Sequence, residues 1–573
     1  MQRTLRIALC LAAALLALPA AAGAAKPGDE VKLQLLGLND FHGHLQPNTP
    51  GTIRPFDTGS TSDPAVRAGG AEFLASHIRS LETGNPNSLF VSAGDLIGAS
   101  PLISALFHDE PTIEAMNMMG LDLNAVGNHE FDEGATELTR MQEGGCHPED
   151  GCYDGPDADS LADGFGGANF KFLAANVVRE GSDRALFSPY AIRTFEGIKV
   201  GFIGMTLEGT PDIVSQAGIQ GWKFLDEADT ANQWADVLRT KHGVEAIVVL
   251  LHEGGAQTLP FGYDGCNGIT GPIVDIVSRT TDAVDLFITG HTHQPYNCVI
   301  DERHVSSSAS FGRLVTDIDL TLGRASKDVE SVLVNNKIVT QDVAPAMDLR
   351  GLVMHYQTLA APLADRVIGY TAEPLPRAQV VDESPLGNVI ADAQLAATDD
   401  AAGAVAAFMN PGGIRADLNV QTDPNAPPTL PEVTYGEAFT VQPFGNSLVT
   451  MDLTGAQIDT MLEQQWCTQT GAPRILSASA GFTYTWDGSI PQATCDKVSN
   501  IAIGGTPVNP AATYRVTVNS FLADGGDRFF VLREGTNRAG GALDLDAFEA
   551  YLAGTTAASP LQTPALNRIT RVN

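Results

Sequence analysis

The sequence predicts an α/β protein of two parts, in which a helix joins a layered α/β N-terminal domain to an α+β C-terminal domain. Three observations predict this fold class. At 573 residues the chain is too long for one hydrophobic core. Its first half alternates short apolar runs with helical stretches, which is the pattern of βαβ units. After Gly369 the pattern changes to mixed strand and helix signals with several glycine-rich loops.

Six apolar runs in the first half are predicted strands: Lys32–Leu38, Leu89–Ala93, Leu173–Val177, Lys199–Ile203, Ala246–Leu251 and Leu286–Thr289. Several of them lead directly into polar clusters, at Asn39-Asp40, Gly94-Asp95, His252 and Gly290-His291. Functional groups in layered α/β folds gather where strand ends meet loops. These clusters are therefore the candidate site.

The connecting helix is predicted from apolar residues at helical spacing after Met347, namely Leu349, Leu352, Val353, Tyr356, Leu359 and Leu363. We predict a first domain at residues 30–340, a linker helix at 341–369 and a second domain at 370–573. A hinge in the linker would let the two domains close on a substrate.

The first 25 residues predict an export signal. Arg3 and Arg6 precede an apolar run from Ile7 to Leu18, and small residues follow from Ala20 to Ala25. The apolar run is too short to span a membrane comfortably. We expect cleavage between Ala22 and Ala25, which leaves a periplasmic or secreted protein with no integral membrane segment.

The charge balance restricts the partners. The chain has 68 acidic and 34 basic residues, which gives a formal charge of -34. Such a surface argues against nucleic acid polymers as partners. An anionic substrate would need local positive charge from metal ions or arginines.

Six of the seven cysteines follow the predicted signal, and an even number in an exported chain suggests disulfides. Sequence neighbours pair most simply as 146–152, 266–298 and 467–495. Other connectivities stay open, as does the oligomeric state.

Seven side chains of the first half are candidate metal ligands: Asp40, His42, Asp95, Asn128, His252, His291 and His293. Within Asp40-Phe41-His42 and His291-Thr292-His293, alternate residues of an extended segment would point to one side. Mixed Asp, Asn and His ligation suits Zn, Mn, Fe or Co better than Ca or Mg. Each residue alone is more often a structural polar group, but their joint occurrence in this order predicts a metal site.

These motifs resemble the calcineurin-like metallophosphoesterases, through Asn39-Asp40-Phe41-His42-Gly43, Gly94-Asp95, Gly127-Asn128-His129-Glu130 and Gly290-His291-Thr292-His293. The resemblance implies a β-sandwich flanked by helices and two divalent metal ions. One ion would be held by residues matching Asp40, His42, Asp95 and His293. The other would be held by residues matching Asp95, Asn128, His252 and His291.

His129 has a separate predicted role. An imidazole can titrate near neutrality, and Asp132 lies close enough along the chain to orient that of His129. The resemblance implies that His129 is not a ligand. It would lie beside a transferred phosphoryl group, stabilise its charge or protonate the leaving oxygen, and so form a catalytic pair with Asp132.

Three stretches of the second half predict a ligand pocket: residues 410–415, 442–446 and 519–527. Glycines in the first stretch let the backbone approach a ligand, and Arg415 could pair with phosphate or ribose oxygens. Phe444 and Phe521, both predicted in loops, could hold a planar base between them. Asp527 could accept hydrogen bonds from the base edge or the ribose.

These stretches look like the C-terminal domain of the 5′-nucleotidase family, which implies a nucleotide-binding set of Asn410, Arg415, Phe444, Phe521 and Asp527. Some relatives carry an arginine where this chain has Asp382, and Arg377 is a candidate substitute. The prediction is an exported two-metal phosphohydrolase of nucleoside 5′-monophosphates. The alternatives are a 2′,3′-cyclic-nucleotide phosphodiesterase, a UDP-sugar hydrolase and a non-catalytic nucleotide-binding protein.

Overall fold

The computed structural model of the protein describes residues 29–48, 51–54, 64–152, 164–258, 262–380, 382–418 and 432–573. The predicted export signal at residues 1–25 lies outside the described residues. Within the described ranges, none of the helices combines the length and the apolarity that crossing a bilayer requires.

Two six-stranded sheets face each other in the N-terminal half. The first sheet has the order Val329–Ile338, Leu314–Gly323, Glu30–Leu38, Ser88–Ser92, Leu123–Ala125 and Lys171–Leu173. The second has the order Pro295–Ile300, Arg303–Ser308, Leu286–Thr289, Ala246–His252, Ile198–Thr206 and Tyr190–Phe195. Parallel pairings join the strands that lead into the predicted polar clusters.

The strand Glu30–Leu38 carries apolar residues on both faces because both faces are buried. Leu33 and Leu35 pack between the two sheets, whereas Leu36 and Leu38 pack against the helices outside the first sheet. Because successive side chains of a strand point to opposite faces, a strand buried on both faces reads as a continuous apolar run.

Helices cover both outer faces of the sandwich. Those against the first sheet are Ala71–Glu82, Leu102–Ala105, Glu110–Met119, Gly134–Glu143 and Met347–Ala364. Those against the second are Glu227–Val237, extended by Leu238–His242, and Pro272–Arg279. The predicted sandwich flanked by helices is confirmed.

The helix predicted after Met347 is present as Met347–Ala364. It packs into the N-terminal helical layer, and the Tyr356 hydroxyl donates a hydrogen bond to Glu114 Oε2 at 3.0 Å. Leu359, predicted on the apolar face, is 47% exposed, because Ala360 takes the buried position of that turn. The chain therefore leaves the N-terminal layers at the end of this helix, and the domain boundaries stay a prediction.

The C-terminal half is α+β, as predicted. Its five-stranded sheet has the order Ser477–Ala478, Ala406–Met409, Thr513–Asn519, Ser447–Thr454 and Thr536–Leu543. A four-stranded sheet has the order Thr506–Pro507, Val498–Ile503, Phe482–Asp487 and Ile569–Val572. The main helices are Pro385–Ala396, Tyr435–Val441, Gly455–Cys467 and Asp544–Leu552.

One predicted strand is wrong. Residues 173–177 do not form a single strand, because the chain bends between Lys171–Leu173 and Val177–Arg179. The buried amide of Asn176 donates to Thr206 O at 2.6 Å and to Leu225 O at 3.0 Å. These bonds turn the chain toward the second sheet and end the first strand.

The disulfides are those predicted, at Cys146–Cys152, Cys266–Cys298 and Cys467–Cys495.

Candidate active site

The predicted metal ligands follow strands of both sheets. Asp40 and His42 follow Glu30–Leu38, Asp95 follows Ser88–Ser92, and Asn128 follows Leu123–Ala125. From the second sheet, His252 ends Ala246–His252, and His291 and His293 follow Leu286–Thr289. The cluster thus lies where the carboxyl ends of parallel strands from the two sheets meet, as expected for a layered α/β fold.

The structure brings all seven side chains together, six of them in two groups. Asp40, His42 and His293 form one, and Asp95, His252 and His291 form the other, with ligand atoms within 4.8 Å of one another in each. Asp95 Oδ2 lies between the groups, 2.9 Å from His252 Nε2 and 3.6 Å from His42 Nε2. Asn128 Oδ1 lies 3.0 Å from His291 Nδ1. This division matches the one that the family resemblance implies, and the ligand roles stay a prediction.

The backbone at these residues is not extended, so the expectation of alternate side chains on an extended segment is wrong. Five of the candidate ligands have positive φ angles: Asp40 (50°), His42 (49°), Asp95 (53°), His291 (69°) and His293 (55°). Non-glycine residues rarely adopt this left-handed conformation, and it concentrates at functional sites. The side chains converge because the chain turns sharply at each ligand.

The donor set fits divalent cations. Nδ1 of His42 donates to Gly98 O at 2.8 Å, and Nδ1 of His252 donates to Ala93 O at 2.7 Å, so each ring presents Nε2 to the cluster. The buried Nε2 of His252 has no partner in hydrogen-bond geometry among the described residues. The ion-pair partners of buried Asp40 and Asp95 within the same ranges are all histidines. Carboxylate, amide and imidazole donors of this kind suit Zn, Mn, Co or Fe.

The electrostatics of the cluster favour positive charge at its centre. Burial opposes a charge on His252, but neighbouring Asp95 outweighs burial and raises the pKa of His252 to about 10. Burial, together with nearby His252, lowers the pKa of His291 to about 3. The buried carboxylates of Asp40 and Asp95 thus place negative potential in a small volume, and this potential favours a positive charge there.

His129 lies beside this cluster and is oriented as predicted. Its Nδ1 donates to Asp132 Oδ2 at 2.9 Å, and its backbone N–H donates to Asp95 Oδ1 at 2.8 Å. Ala99 N in turn donates to Asp132 Oδ2 at 3.0 Å. Burial opposes a charge on His129, but Asp132 and Asp95 outweigh it and raise its pKa. The imidazole is thus held as a proton donor at the wall of a cavity.

That cavity unites the two halves of the protein. Its wall includes Asn128, His129 and His291 from the N-terminal half and all five predicted nucleotide-binding residues from the C-terminal half. The ring of Phe444 lies 5.7 Å from the ring of His129, with 15° between their planes. The guanidinium of Arg415 lies 5.6 Å over the Phe444 ring.

Two details of the predicted pocket need correction. Phe521 lies in the short helix Ser520–Ala523 rather than in a loop, and it packs against the C-terminal core as well as lining the cavity. Arg377 does not line the cavity: its Nη1 donates to Ile414 O at 2.8 Å and to Arg415 O at 2.9 Å. Arg377 therefore supports the backbone that carries Arg415.

Comparisons with known proteins agree with this geometry. Residues 367–534 match the profile of a family described as "5′-nucleotidase, C-terminal domain". The crystal structure of a 5′-nucleotidase precursor from Thermus thermophilus superposes with a TM-score of 0.74 at 27% identity, over 95% of this chain and 100% of that one. Cell wall protein Lmo0130 of Listeria monocytogenes is 31% identical over 93% of this chain and 68% of its own length.

The chain belongs to the 5′-nucleotidase family.

Members of this family are metal-dependent hydrolases of phosphoric esters. A further relative, endonuclease YhcR of Bacillus subtilis, is 32% identical over 87% of this chain. The chain spans 37% of the length of that protein. These relatives thus differ in size.

Sequence reasoning missed several residues of this 5′-nucleotidase family site. Ile213, Val214 and Arg474 line the cavity, and no local motif marks them. Asn519 lies within one of the three predicted stretches, and its amide donates to Asn410 Oδ1 at 3.0 Å. Glu130 was also missed as a site residue. Its position in the Gly127-Asn128-His129-Glu130 motif was the signal that could have identified it.

Glu130 ties the metal-site loops together. Its carboxylate accepts hydrogen bonds from Asp95 N (2.9 Å), Leu96 N (2.9 Å), Gly127 N (2.7 Å) and Asn124 Nδ2 (3.2 Å). The residue is buried, and burial raises its pKa to about 8. One side chain thereby joins the loop of Asp95 to the loop of Asn128.

Replacing Glu130 with Gln is expected to destabilise the protein by about 2–4 kcal/mol, because the amide nitrogen cannot accept the backbone N–H groups that the carboxylate satisfies. Chemical denaturation measures the free energy of unfolding. Glu143→Gln, on the neighbouring helix at a position that is not buried, is the matched control and should change stability by less than about 0.5 kcal/mol. Equal stability of the two variants would contradict the assignment of Glu130.

Proposed function

We propose that this protein hydrolyses nucleoside 5′-monophosphates to a nucleoside and phosphate outside the cytoplasm. The observation that carries the proposal is the contact of Phe444 with His129, at 5.7 Å between ring centroids. It joins the predicted nucleotide-binding residues to the candidate metal cluster in one cavity. A phosphate ester bound there would have its base end among C-terminal residues and its phosphate end beside His129.

The seven clustered side chains would hold two divalent cations in this site. When bound, such cations would polarise phosphoryl oxygens and make a water molecule more acidic.

The chain's own residues supply the remaining chemistry. His129, held by Asp132 at 2.9 Å, would stabilise charge on the phosphoryl group or donate a proton to the leaving 5′ oxygen. Arg415 is half-buried, and although burial lowers its pKa, the guanidinium remains the cationic group that can pair with phosphate oxygens. Phe444 and Phe521 would hold the base through their ring faces.

Export is supported by the N-terminal sequence pattern and by the three disulfides. Disulfides persist in oxidising compartments and are rare in the cytosol.

Replacing Phe444 or Phe521 with Ala is expected to lower kcat/KM for nucleotides by about 5- to 100-fold each, because base–aromatic stacking contributes about 1–3 kcal/mol per base. The rate on glycerol phosphate, which has no planar ring, should change by less than about threefold. Phe530→Ala removes a partly exposed ring of the same half that does not line this cavity, and it is the control. Parallel losses on both substrates would contradict a base-binding role.

The function itself is tested by phosphate release from AMP, UMP, ADP, UDP-glucose, 2′,3′-cyclic AMP, p-nitrophenyl phosphate and glycerol phosphate. Each substrate is assayed with Mn²⁺, Zn²⁺ or Co²⁺ and with EDTA, and products of the diester and pyrophosphate substrates are detected directly. We expect metal-dependent turnover with the highest kcat/KM on a nucleoside 5′-monophosphate. Preference for the cyclic diester or for UDP-glucose would replace the proposed substrate, and equal rates on all esters would overturn the nucleotide pocket.

A further inference from the structure

A second group of side chains with metal-binding chemistry lies outside the active-site cluster. One ligand atom from each of His108, Glu133, Glu137 and His147 lies within 4.8 Å of the others. None of these four residues is among the seven candidate ligands of the active site. The group combines two imidazoles with two carboxylates, so it is more than a patch of acidic residues. Mixed nitrogen and oxygen donors of this kind suit transition-metal ions.

The group joins separate segments of the chain. Glu133 directly precedes the helix Gly134–Glu143, and Glu137 lies in the first turn of that helix. His147 lies in the short loop that the Cys146–Cys152 disulfide closes. The disulfide restricts the conformations of this loop and so limits the positions open to the His147 imidazole. A cation bound to the group would join the loop to the start of the helix.

His108 has a carboxylate at each ring nitrogen. Its Nδ1 lies 2.7 Å from Glu133 Oε2, and its Nε2 lies 2.9 Å from Asp150 Oδ2. A histidine that binds a metal uses one ring nitrogen for the ion and donates from the other to a carboxylate or a carbonyl. Asp150 is placed to accept that second hydrogen bond while Nδ1 faces Glu133. His108 has a φ angle of 51°, the left-handed conformation that also occurs at five candidate ligands of the active site.

The second imidazole of the group lies directly against the first. The rings of His108 and His147 are stacked, with 3.8 Å between their centroids and 11° between their planes. A ligating nitrogen points its lone pair along the plane of its own ring, so a shared cation requires the two planes to tilt apart. Both side chains are partly exposed, which leaves room for that movement.

The charge around the group favours a cation. Glu137 accepts a hydrogen bond from Arg140 Nε at 2.9 Å, and Arg140 Nη1 also donates to Glu110 at 2.6 Å. An ionised carboxylate has about four acceptor positions, so Glu137 can bind Arg140 and still bind a cation. The hydrogen bond with Glu133 outweighs the effect of burial and raises the pKa of His108 to about 9. The group therefore stabilises a positive charge, which either a proton on His108 or a metal ion supplies.

We propose that this group is a third divalent-cation site, which binds Zn²⁺ or a similar transition-metal ion through His108, Glu133, Glu137 and His147. Four protein ligands fill a tetrahedral coordination sphere and leave no open position, which is the arrangement of a structural zinc site. The ion holds the loop of His147 against the helix Gly134–Glu143. This inference goes beyond the proposed function and does not depend on the identity of the substrate.

The site lies behind the predicted catalytic pair. The wall of a second cavity includes His108, Glu133 and Glu137 together with His129 and Asp132. Glu133 also directly follows Asp132 along the chain. A structural ion fixes this wall without contacting the substrate. Its loss should therefore lower the stability of the protein and leave most of the activity.

Zinc content is the first test. The wild type, His108→Gln and His147→Gln are loaded with Zn²⁺, desalted and measured by elemental analysis. Each variant should carry about one equivalent less than the wild type, because either substitution removes one of four ligands. The kcat for phosphate release should stay within about twofold of the wild type, since neither residue lines the active-site cavity. His355→Ala removes an imidazole outside the group and is the control, which should keep the full metal content.

A second measurement separates this site from the active-site cluster. Zn²⁺ is titrated by calorimetry into metal-free Asp95→Asn protein, in which metal binding at the active site is weakened. We expect heat of Zn²⁺ binding and a rise in Tm, because a ligand that binds only the native state stabilises it. Adding His147→Gln to this variant should remove that heat and most of the rise in Tm.

Equal zinc content in the wild type and in both glutamine variants would overturn the site and leave His108 as a protonated partner of Glu133 and Asp150. Parallel loss of zinc and of kcat would also overturn it, because the residues would then act on the ions of the active site. The expected difference in zinc content, in a protein that releases phosphate from no ester, would support this site and overturn the proposed function alone.

Discussion

Replacing His129 with Ala is expected to lower kcat for nucleotide hydrolysis by a factor of about 10²–10⁴, which is the range for loss of a positioned acid–base group. The imidazole is held by Asp132 at 2.9 Å and lines the cavity that the nucleotide would occupy. KM should change by less than about threefold, because the base and ribose contacts lie on other residues. Initial rates of phosphate release across a range of AMP concentrations measure both constants.

Two variants sharpen this test of His129. His355→Ala removes an imidazole from the helix Met347–Ala364, away from the cavity, and should leave kcat unchanged. Asp132→Asn keeps the size of the side chain but loses the charge that orients His129, so its kcat should lie between those of the wild type and His129→Ala. Full activity of His129→Ala would exclude this residue from the catalytic machinery. Nucleotide affinity without turnover in the wild type would instead favour a non-catalytic nucleotide-binding protein.

Replacing Asp95 with Asn is expected to lower both bound metal and activity, with kcat/KM falling by a factor on the order of 10³ or more. Asp95 is the carboxylate between the two ligand groups, 2.9 Å from His252 Nε2 and 3.6 Å from His42 Nε2. An amide has no charge to offset a cation and has one fewer acceptor oxygen. Elemental analysis of the purified variant measures the metal content, and phosphate release measures the activity.

Asp285→Asn is the matched control for Asp95. Asp285 accepts a hydrogen bond from Ile247 N at 2.8 Å in the second sheet, and burial raises the pKa of its carboxyl to about 7. The amide oxygen of Asn can accept the same backbone hydrogen bond, so metal content and activity should stay close to those of the wild type. Normal metal content in Asp95→Asn would contradict the prediction that Asp95 is a metal ligand.

The local sequence was sufficient for the identities of the candidate ligands. Each of them follows a short apolar run, and strand ends are where layered α/β folds collect functional groups. The helix Met347–Ala364 and the three disulfides were also predictable, because apolar spacing and neighbouring cysteines are visible over short distances along the chain.

The form of the turns was not predictable. Asp40-Phe41-His42 reads as an extended segment, but Asp40 and His42 have φ angles of 50° and 49°. Non-glycine residues rarely adopt a positive φ angle, so an expectation based on sequence assigns the commoner extended conformation. Contacts such as those of Asp40 with the backbone N–H of His291, 251 positions away, stabilise it after folding.

The motifs by themselves thus sufficed to predict which residues would carry the chemistry and which kind of cations they would suit. Only the tertiary structure decided that Phe444 meets His129, that Glu130 joins two loops and that Arg474 pairs with Asp527. Strand and helix signals depend on the spacing of a few residues. In contrast, these contacts join loops that are distant along the chain, and they form only when two sheets and two halves of the protein have packed.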